Sequence, residues 1–513
     1  MRLSVVWFLV ALVVATYALT LNRFPIEFGD GPFYASIARS LQQGRPGIPS
    51  ILKQGPTAVD HVRFYGPVFF STLATWFTVA GFSSVTFRMF CLAAAVFAAA
   101  GAVAVSWSLG GGPKRRAWAA LLILLSPELG FSATFGRMDA FAVALEMFGL
   151  AIFVHGITYK RRPWLHGVAS GAILAAAALT TPRTFPFMLG FAVALVTVLP
   201  RSAPSNRGHV IRQTAACCAA ALCLWLLWTF VSSGGPSSWF HMMSYIATHE
   251  DMDVALLRPR RSWMFVWWQA ATPAFACVGA LVVAYRLRGP ASHTIAAGVA
   301  IATAWIALVV TWTLFENAFL FETLAILPLF AVVLAVPILT SDLGRRRMAV
   351  VGFVVFCFFV GIRGAKIVRG LVTWTGRNPA PLSAFVRDHV PPGSEVLGPD
   401  QDYFFPVEES GSRYLIINQV SAADWARWMV AIDRRKASAP RPLKADYLLW
   451  PDAGVFDDTL LPCLSAVPLA TYHPPPADIP ALAHLVEDDA RASYATTTLY
   501  RLKFSCSDPG HVD

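Results

Sequence analysis

The sequence predicts an α-helical polytopic membrane protein with about eleven spans and a C-terminal extracytoplasmic α/β domain. Three observations lead there. Of 513 residues, 56% are hydrophobic and 14% charged, with a mean hydropathy of +0.55, a composition too apolar for a soluble chain of this length. Apolar stretches alternate with short basic clusters, so the formal net charge of +11 follows from the positive-inside rule and does not point to nucleic acid. Beyond about Gly370 the chain turns polar and Pro-rich, and apolar runs shorten to strand length.

The first span covers Met1 to Thr20, with Arg2 inside and no A-x-A cleavage site after it, so it reads as an anchor and the chain emerges outside near Asn22. A mixed outer loop, 22–84, follows. Its one apolar piece, Pro67 to Ala80, is too short to cross and reads as an interfacial or re-entrant helix. The second span, about Val85 to Leu109, then descends to the cytoplasmic Lys114-Arg115-Arg116. The third runs from Ala117 to Phe135, the fourth returns to Tyr159–Arg162, and the fifth climbs to Thr181-Pro182-Arg183. The sixth descends to a basic loop holding Arg201, Arg207 and Arg212, and the seventh emerges near Val231, before a long outer loop from Ser232 to Ser262. Spans eight to eleven are bounded by Arg286/Arg288, Glu316-Asn317, Arg345-Arg346-Arg347 and about Gly364. This topology divides the chain into a membrane domain, 1–369, and an extracytoplasmic α/β domain, 370–513, with the N-terminus cytoplasmic in the plasma (inner) membrane.

In the C-terminal domain, Ser394 to Leu397, Tyr414 to Ile417, Tyr447 to Trp450 and Ala495 to Leu502 read as strands, and Leu382 to His389 and Ala422 to Arg434 as helices. Six of eight cysteines lie in apolar spans, where cysteine acts as a small hydrophobe. Cys463 and Cys506 fall in the polar part and are candidates for a disulfide if that part is extracytoplasmic. No Cys/His spacing indicates zinc.

The stretch from Glu27 to Gly44 organises the chemistry. Glycines flank Asp30, and Pro32 to Leu41 starts a short helix, which puts a carboxylate near a helix N-terminus where the dipole favours its ionised form. A plain helix cap is the competing reading. The topology brings further polar residues to the same outer boundary: Arg39, His61, Arg63 and Tyr65 from the first loop, Arg137 and Asp139, Arg183, and His249-Glu250-Asp251 with Arg258, Arg260 and Arg261. Each alone is ordinary for a helix end. Together, arginine forks suit phosphate oxygens and a carboxylate suits deprotonation of a hydroxyl. Trp239, Trp263, Trp267 and Trp268 suit either sugar stacking or an interfacial belt.

In the order of these features the chain resembles the polyprenyl-phosphate-dependent GT-C glycosyltransferases, in the branch of the protein O-mannosyltransferases and the lipid A aminoarabinose transferase. The family pattern D-E-x-x-Y-x-x-I-A-R-x-L is met by Asp30, Tyr34, Ile37, Ala38, Arg39 and Leu41, with Gly31 in place of Glu. Gly66-Pro67 stands at the family's Pro-led short helix, without its Lys; Gly81, Ser83 and Arg88 match G-x-S-x-x-x-x-R. Asp139 corresponds to the second outer acid, and Thr181-Pro182-Arg183 to Thr-Lys-Gly with Arg for Lys.

What the resemblance implies is an inverting transfer of a sugar from a polyprenyl-phosphate donor to a glycan, lipid or protein acceptor on the extracytoplasmic face. Asp30 is then the general base, with Asp139 as a second catalytic acid. Arg183, Arg137, Arg63, Tyr65, Arg258, Arg260 and Arg261 are expected on the donor phosphate, and Tyr34, His61, His249 and Glu250 at the sugar or acceptor. No nucleotide is required, and a divalent cation, if any, falls to Asp30 and Asp139. A transporter or lipid flippase, and a non-catalytic envelope scaffold of the same fold, are the readings from other classes; acids clustered at one face and the absence of an internal repeat weigh against transport.

Overall fold

The computed structural model describes residues 2–23, 30–44, 65–125, 127–160, 162–181, 184–198, 204–241, 296, 299, 368, 370–398, 401–416, 446–451, 464–475 and 494–504. The described helices, in chain order, are α1 (Leu3–Thr20), α2 (Asp30–Gln42), α3 (Val68–Ala80), α4 (Ser84–Ser108), α5 (Pro113–Leu125), α6 (Pro127–Phe135), α7 (Asp139–Tyr159), α8 (Pro163–Ala178), α9 (Phe185–Val198), α10 (Pro204–Ser233), α11 (Ala380–His389) and α12 (Phe404–Glu409). The chain forms two compact units: Met1–Leu19 with Asp60–Thr72 and Met89–Gly364, and Thr20–Val59 with Leu73–Arg88 and Ala365–Asp513.

Among the described residues, four helices are long and apolar enough to cross a membrane: α1, α4, α7 and the part of α10 from Asn206 to Ser233. Three of them match the first, second and fourth expected spans, and α10 takes the place of the seventh. The third is described as α5 and α6, with residue 126 between them outside the described residues. At the fifth and sixth expected spans stand α8, with 16 residues, and α9, with 14. The apolar piece of the first outer loop is the 13-residue α3. Spans eight to eleven lie outside the described residues.

Small residues set the packing of the first unit. On α4, Ala94, Ala95, Ala98, Ala99 and Ala102 are buried in one cluster with Val143, Met147, Leu150 and Val154 of α7. The tightest crossing joins α8 to α10, where Gly167 and Gly171 stand four residues apart. A Cβ on Gly171 would run into the Cys217 carbonyl, and one on Gly167 into the Gln213 carbonyl, so only glycine lets these backbones approach. Interhelical hydrogen bonds add to this: Ser170 Oγ donates to the Gly149 carbonyl at 2.8 Å and Gln213 Nε2 to the Phe153 carbonyl at 2.6 Å.

The second unit holds a mixed sheet of strands β1 (Glu395–Gly398), β2 (Arg413–Ile416), β3 (Tyr447–Pro451), β4 (Leu464–Tyr472) and β5 (Thr497–Phe504), in the order β2-β1-β3-β5-β4. Val396 pairs with Tyr414 and Tyr447 in parallel register, and Leu449 with Leu499 antiparallel. The chain passes from β1 to β2 through a 3-10 turn, Gln401–Tyr403, and α12, completing a right-sized crossover for parallel neighbours. Four expected strands and the helix before them are present within a few residues of their expected bounds. The strand β4 was not expected: Pro468 argues against a strand, and its place at the sheet edge, with a register break between Pro468 and Ala470, is where proline is tolerated. The expected helix Ala422 to Arg434, Cys463 and Cys506 lie outside the described residues.

Candidate active site

In the first unit three expected segments meet. Gly66 has a φ of +77°, and a Cβ there would run into the backbone of Leu179, so glycine meets two demands at once. Beside it the Val68 amide donates to the Leu179 carbonyl at 3.2 Å. Tyr65, 8% exposed, lies edge-on to Phe70 with centroids 6.5 Å apart. The end of the first outer loop is therefore held against the turn that begins with the buried Thr180 and Thr181, and Thr184 Oγ1 closes that turn on the Thr181 carbonyl at 2.9 Å. On the same helix as Phe70, Phe69 lies 5.6 Å from Phe90 and 6.1 Å from Phe141, two residues past Asp139.

The turn into α7 is built to present an acid. Gly136, at a φ of +76°, reverses the chain after α6. Ser132 then clamps it, donating from Oγ to the Arg137 carbonyl at 3.1 Å and accepting the Ala140 amide at 2.8 Å. Asp139 is the first residue of α7, 3% exposed, and its Oδ2 accepts from Arg137 Nε at 2.9 Å. A guanidinium beside a buried carboxylate at a helix N-terminus offsets part of the cost of its burial. Glu146, two turns along α7 from Asp139, is fully buried, and among the described residues neither of its carboxyl oxygens has a hydrogen-bond partner.

In the second unit Asp30 is the first residue of α2, the helix expected for this stretch. Tyr34 is buried at 1% exposure, edge-on to Phe33 at 5.9 Å. Arg39, in the last turn, lies 4.5 Å over the ring of Phe82 and donates from Nη1 to Gln42 Oε1 at 2.7 Å. Phe82 sits between Gly81 and Ser83 of the matched G-x-S segment, and that segment's Arg88, 2% exposed, donates to the Leu21 carbonyl at 2.7 Å. Arg39 and Arg88 thus join separate segments of this unit.

His61, Arg63, Arg183, His249, Glu250, Arg258, Arg260 and Arg261 lie outside the described residues. Among the described residues no group of three or more His, Cys, Asp or Glu side chains is placed to hold a metal ion. Asp139 Oδ2 accepts from Arg137 Nε, and Gly31 supplies no carboxylate beside Asp30. Sequence reasoning missed Ser132, Glu146 and the α12 carboxylates. A serine inside an apolar run and acids in a Val-Glu-Glu-Ser-Gly stretch carry no periodic signal.

The fold is similar to that of ArnT, in keeping with the resemblance in the sequence. The crystal structure of ArnT from Cupriavidus metallidurans bound to undecaprenyl phosphate superposes with a TM-score of 0.62 at 13% identity, over 98% of each chain. The same protein in the apo state gives 0.59 at 14% identity, over 97% of each chain. A third similar structure, the Archaeoglobus fulgidus oligosaccharyltransferase in complex with Zn and sulfate, gives 0.49 at 13% identity, over 86% of this chain and 68% of that one. No protein-family model matches the chain, and no curated protein matches it.

Proposed function

We propose that this protein is an integral membrane glycosyltransferase that moves a sugar from a polyprenyl-phosphate donor to an acceptor on the extracytoplasmic face, with inversion. The observation that carries the reading is the end-to-end likeness to a fold solved with undecaprenyl phosphate, together with the acid that opens α2 in the matched motif. In this reading the chain sits in the plasma membrane with its N-terminus cytoplasmic and its 370–513 domain outside.

Asp30 takes the proton from the acceptor hydroxyl, and the acceptor oxygen attacks the anomeric carbon. The bond from that carbon to the phosphate oxygen breaks, and its electron pair leaves with the polyprenyl phosphate. Arg183 and the Arg258, Arg260 and Arg261 cluster neutralise the departing charge, with Tyr65 and Arg63 at the same phosphate. Arg137 is assigned to the same phosphate, which its planar guanidinium suits. Asp139 orients Arg137 and keeps that guanidinium in place. His61, Tyr34, His249 and Glu250 are assigned to sugar and acceptor contacts. The proton on Asp30 passes to water after product leaves.

The test is sugar transfer in proteoliposomes from a panel of radiolabelled polyprenyl-phosphate monosaccharides, comparing wild type with Asp30→Asn. Removal of a general base lowers transfer by about 10²- to 10⁴-fold. A folded Asp30→Asn protein as active as wild type overturns the assignment of the base. A wild-type protein inert with every donor overturns the transferase reading.

A further inference from the structure

The second unit ties the Asp30 helix to the C-terminal domain by contacts of an unusual kind for a mere cover. Phe82, on which Arg39 of α2 rests, is stacked on Phe405 of α12 with centroids 5.5 Å apart at 20°, and Phe404 meets it edge-on at 5.9 Å. Phe87 stacks on the same Phe405 at 5.8 Å. The first turn of α4 has backbone N–H groups that no helical carbonyl can accept. One of them, on Ser84, donates to Glu409 Oε1 at 2.8 Å, so the C-terminal domain adds an acceptor to the α4 N-terminus beside Ser83 Oγ, which accepts the Thr86 amide at 3.1 Å. The 3-10 turn before α12 packs on α2. A third tie runs from Arg23, which lies 4.7 Å over Trp374 and donates to its carbonyl at 3.5 Å. Phe404, Phe405 and Val407 are wholly buried, so α12 is anchored in its own domain while it grips the other segments.

We infer that α12, through Phe405 and Glu409, is a positioning element for catalysis: it fixes the Phe82–Ser84 corner and, through Arg39, the helix that begins at Asp30. Phe405, Glu409 and Arg39 are positioning residues; none is assigned to substrate. The inference rests on Asp30 being the general base, and it adds that the C-terminal domain is part of the catalytic apparatus. A base must be held within a few tenths of an ångström of its productive position, and a displacement of about 1 Å costs on the order of 10²-fold in rate.

The experiment uses the full chain in proteoliposomes, with Phe405→Ala, Phe405→Tyr, Glu409→Ala and Glu409→Gln. Two readouts are taken: kcat and donor KM for transfer, and amide hydrogen exchange of residues 30–42 against 139–159. The expected result is a kcat about 10- to 100-fold lower for Phe405→Ala and Glu409→Ala, a donor KM within about 2-fold of wild type, and rescue by Phe405→Tyr and Glu409→Gln. Exchange in 30–42 quickens in the two alanine variants while 139–159 is unchanged. Should Phe405→Ala fail to fold, Glu409→Ala carries the test alone. Unchanged exchange in 30–42, or a loss of activity carried in KM, overturns the inference. A wild type without transfer, but with faster exchange in 30–42 of the variants, overturns the transferase reading and leaves the brace standing.

Discussion

Arg137 and Asp139 form an ion pair across two residues of one turn, Nε to Oδ2 at 2.9 Å, with the carboxylate side chain 4% exposed and the guanidinium side chain 12%. Because Ser132 holds both the Arg137 carbonyl and the Ala140 amide, the pair is set by backbone geometry before any ligand arrives. Its parts are therefore separable by mutation.

Arg137→Ala removes a charge-assisted hydrogen bond from a buried carboxylate and is expected to cost about 1.5–3 kcal/mol. Asp139→Asn keeps an acceptor for Arg137 and is expected to cost less. Thermal unfolding of the detergent-solubilised protein ranks the two; a smaller effect for Arg137→Ala would contradict the pairing.

Glu146 predicts the opposite sign. A fully buried carboxyl without a partner among the described residues carries a desolvation penalty that no hydrogen bond offsets. Glu146→Leu is expected to stabilise the protein by about 1–3 kcal/mol. The same unfolding assay decides it, and a lower midpoint for the variant would refute the expectation.

Gly171 faces the Cys217 carbonyl. Gly171→Leu forces α8 and α10 apart and is expected to destabilise the first unit by about 1–3 kcal/mol, whereas a leucine at the exposed Val168 is tolerated. Proteolysis of the solubilised variants reads the difference; equal resistance would show that the helices do not cross there.

Burial pushes the Glu408 and Glu409 carboxyls above their ordinary value of 4.5, while the amides of Tyr414 and Ser84 and the nearby Arg39, Arg413 and Arg387 pull them back. With folded-state values above unfolded ones, the stabilisation linked to these protons is fully present below about pH 4.5 and is lost as pH rises through the raised values. A Glu408→Gln/Glu409→Gln double variant is expected to show a flatter dependence of unfolding midpoint on pH above 4.5. An unchanged slope would remove these carboxyls as its source.

Much of the fold was legible because membrane spans and short helices announce themselves by composition. α2 was readable from Asp30, Pro32 and the apolar spacing to Leu41, and α7 from the turn at Gly136. β4 was lost because Pro468 is informative only once its strand is known to be an edge. Of the candidate site, Tyr65–Pro67, Arg137–Asp139 and Thr181 were singled out from the sequence, and the first unit brings their segments into contact. The site's supports were not: Ser132 and Glu409 act on backbone amides that no spacing in the sequence connects to them.

The hydrogen bond from Ser84 to Glu409 spans 325 residues of chain. Ribosomes therefore deliver the helix bearing Asp30 long before they deliver the carboxylate that accepts the Ser84 amide. A chain released early, at any point before α12, carries the acidic motif but lacks Phe405 and Glu409 to hold it. Completion of synthesis is thereby built into the assembly of the motif, so that prematurely terminated copies in the membrane hold the residues of the site without its brace.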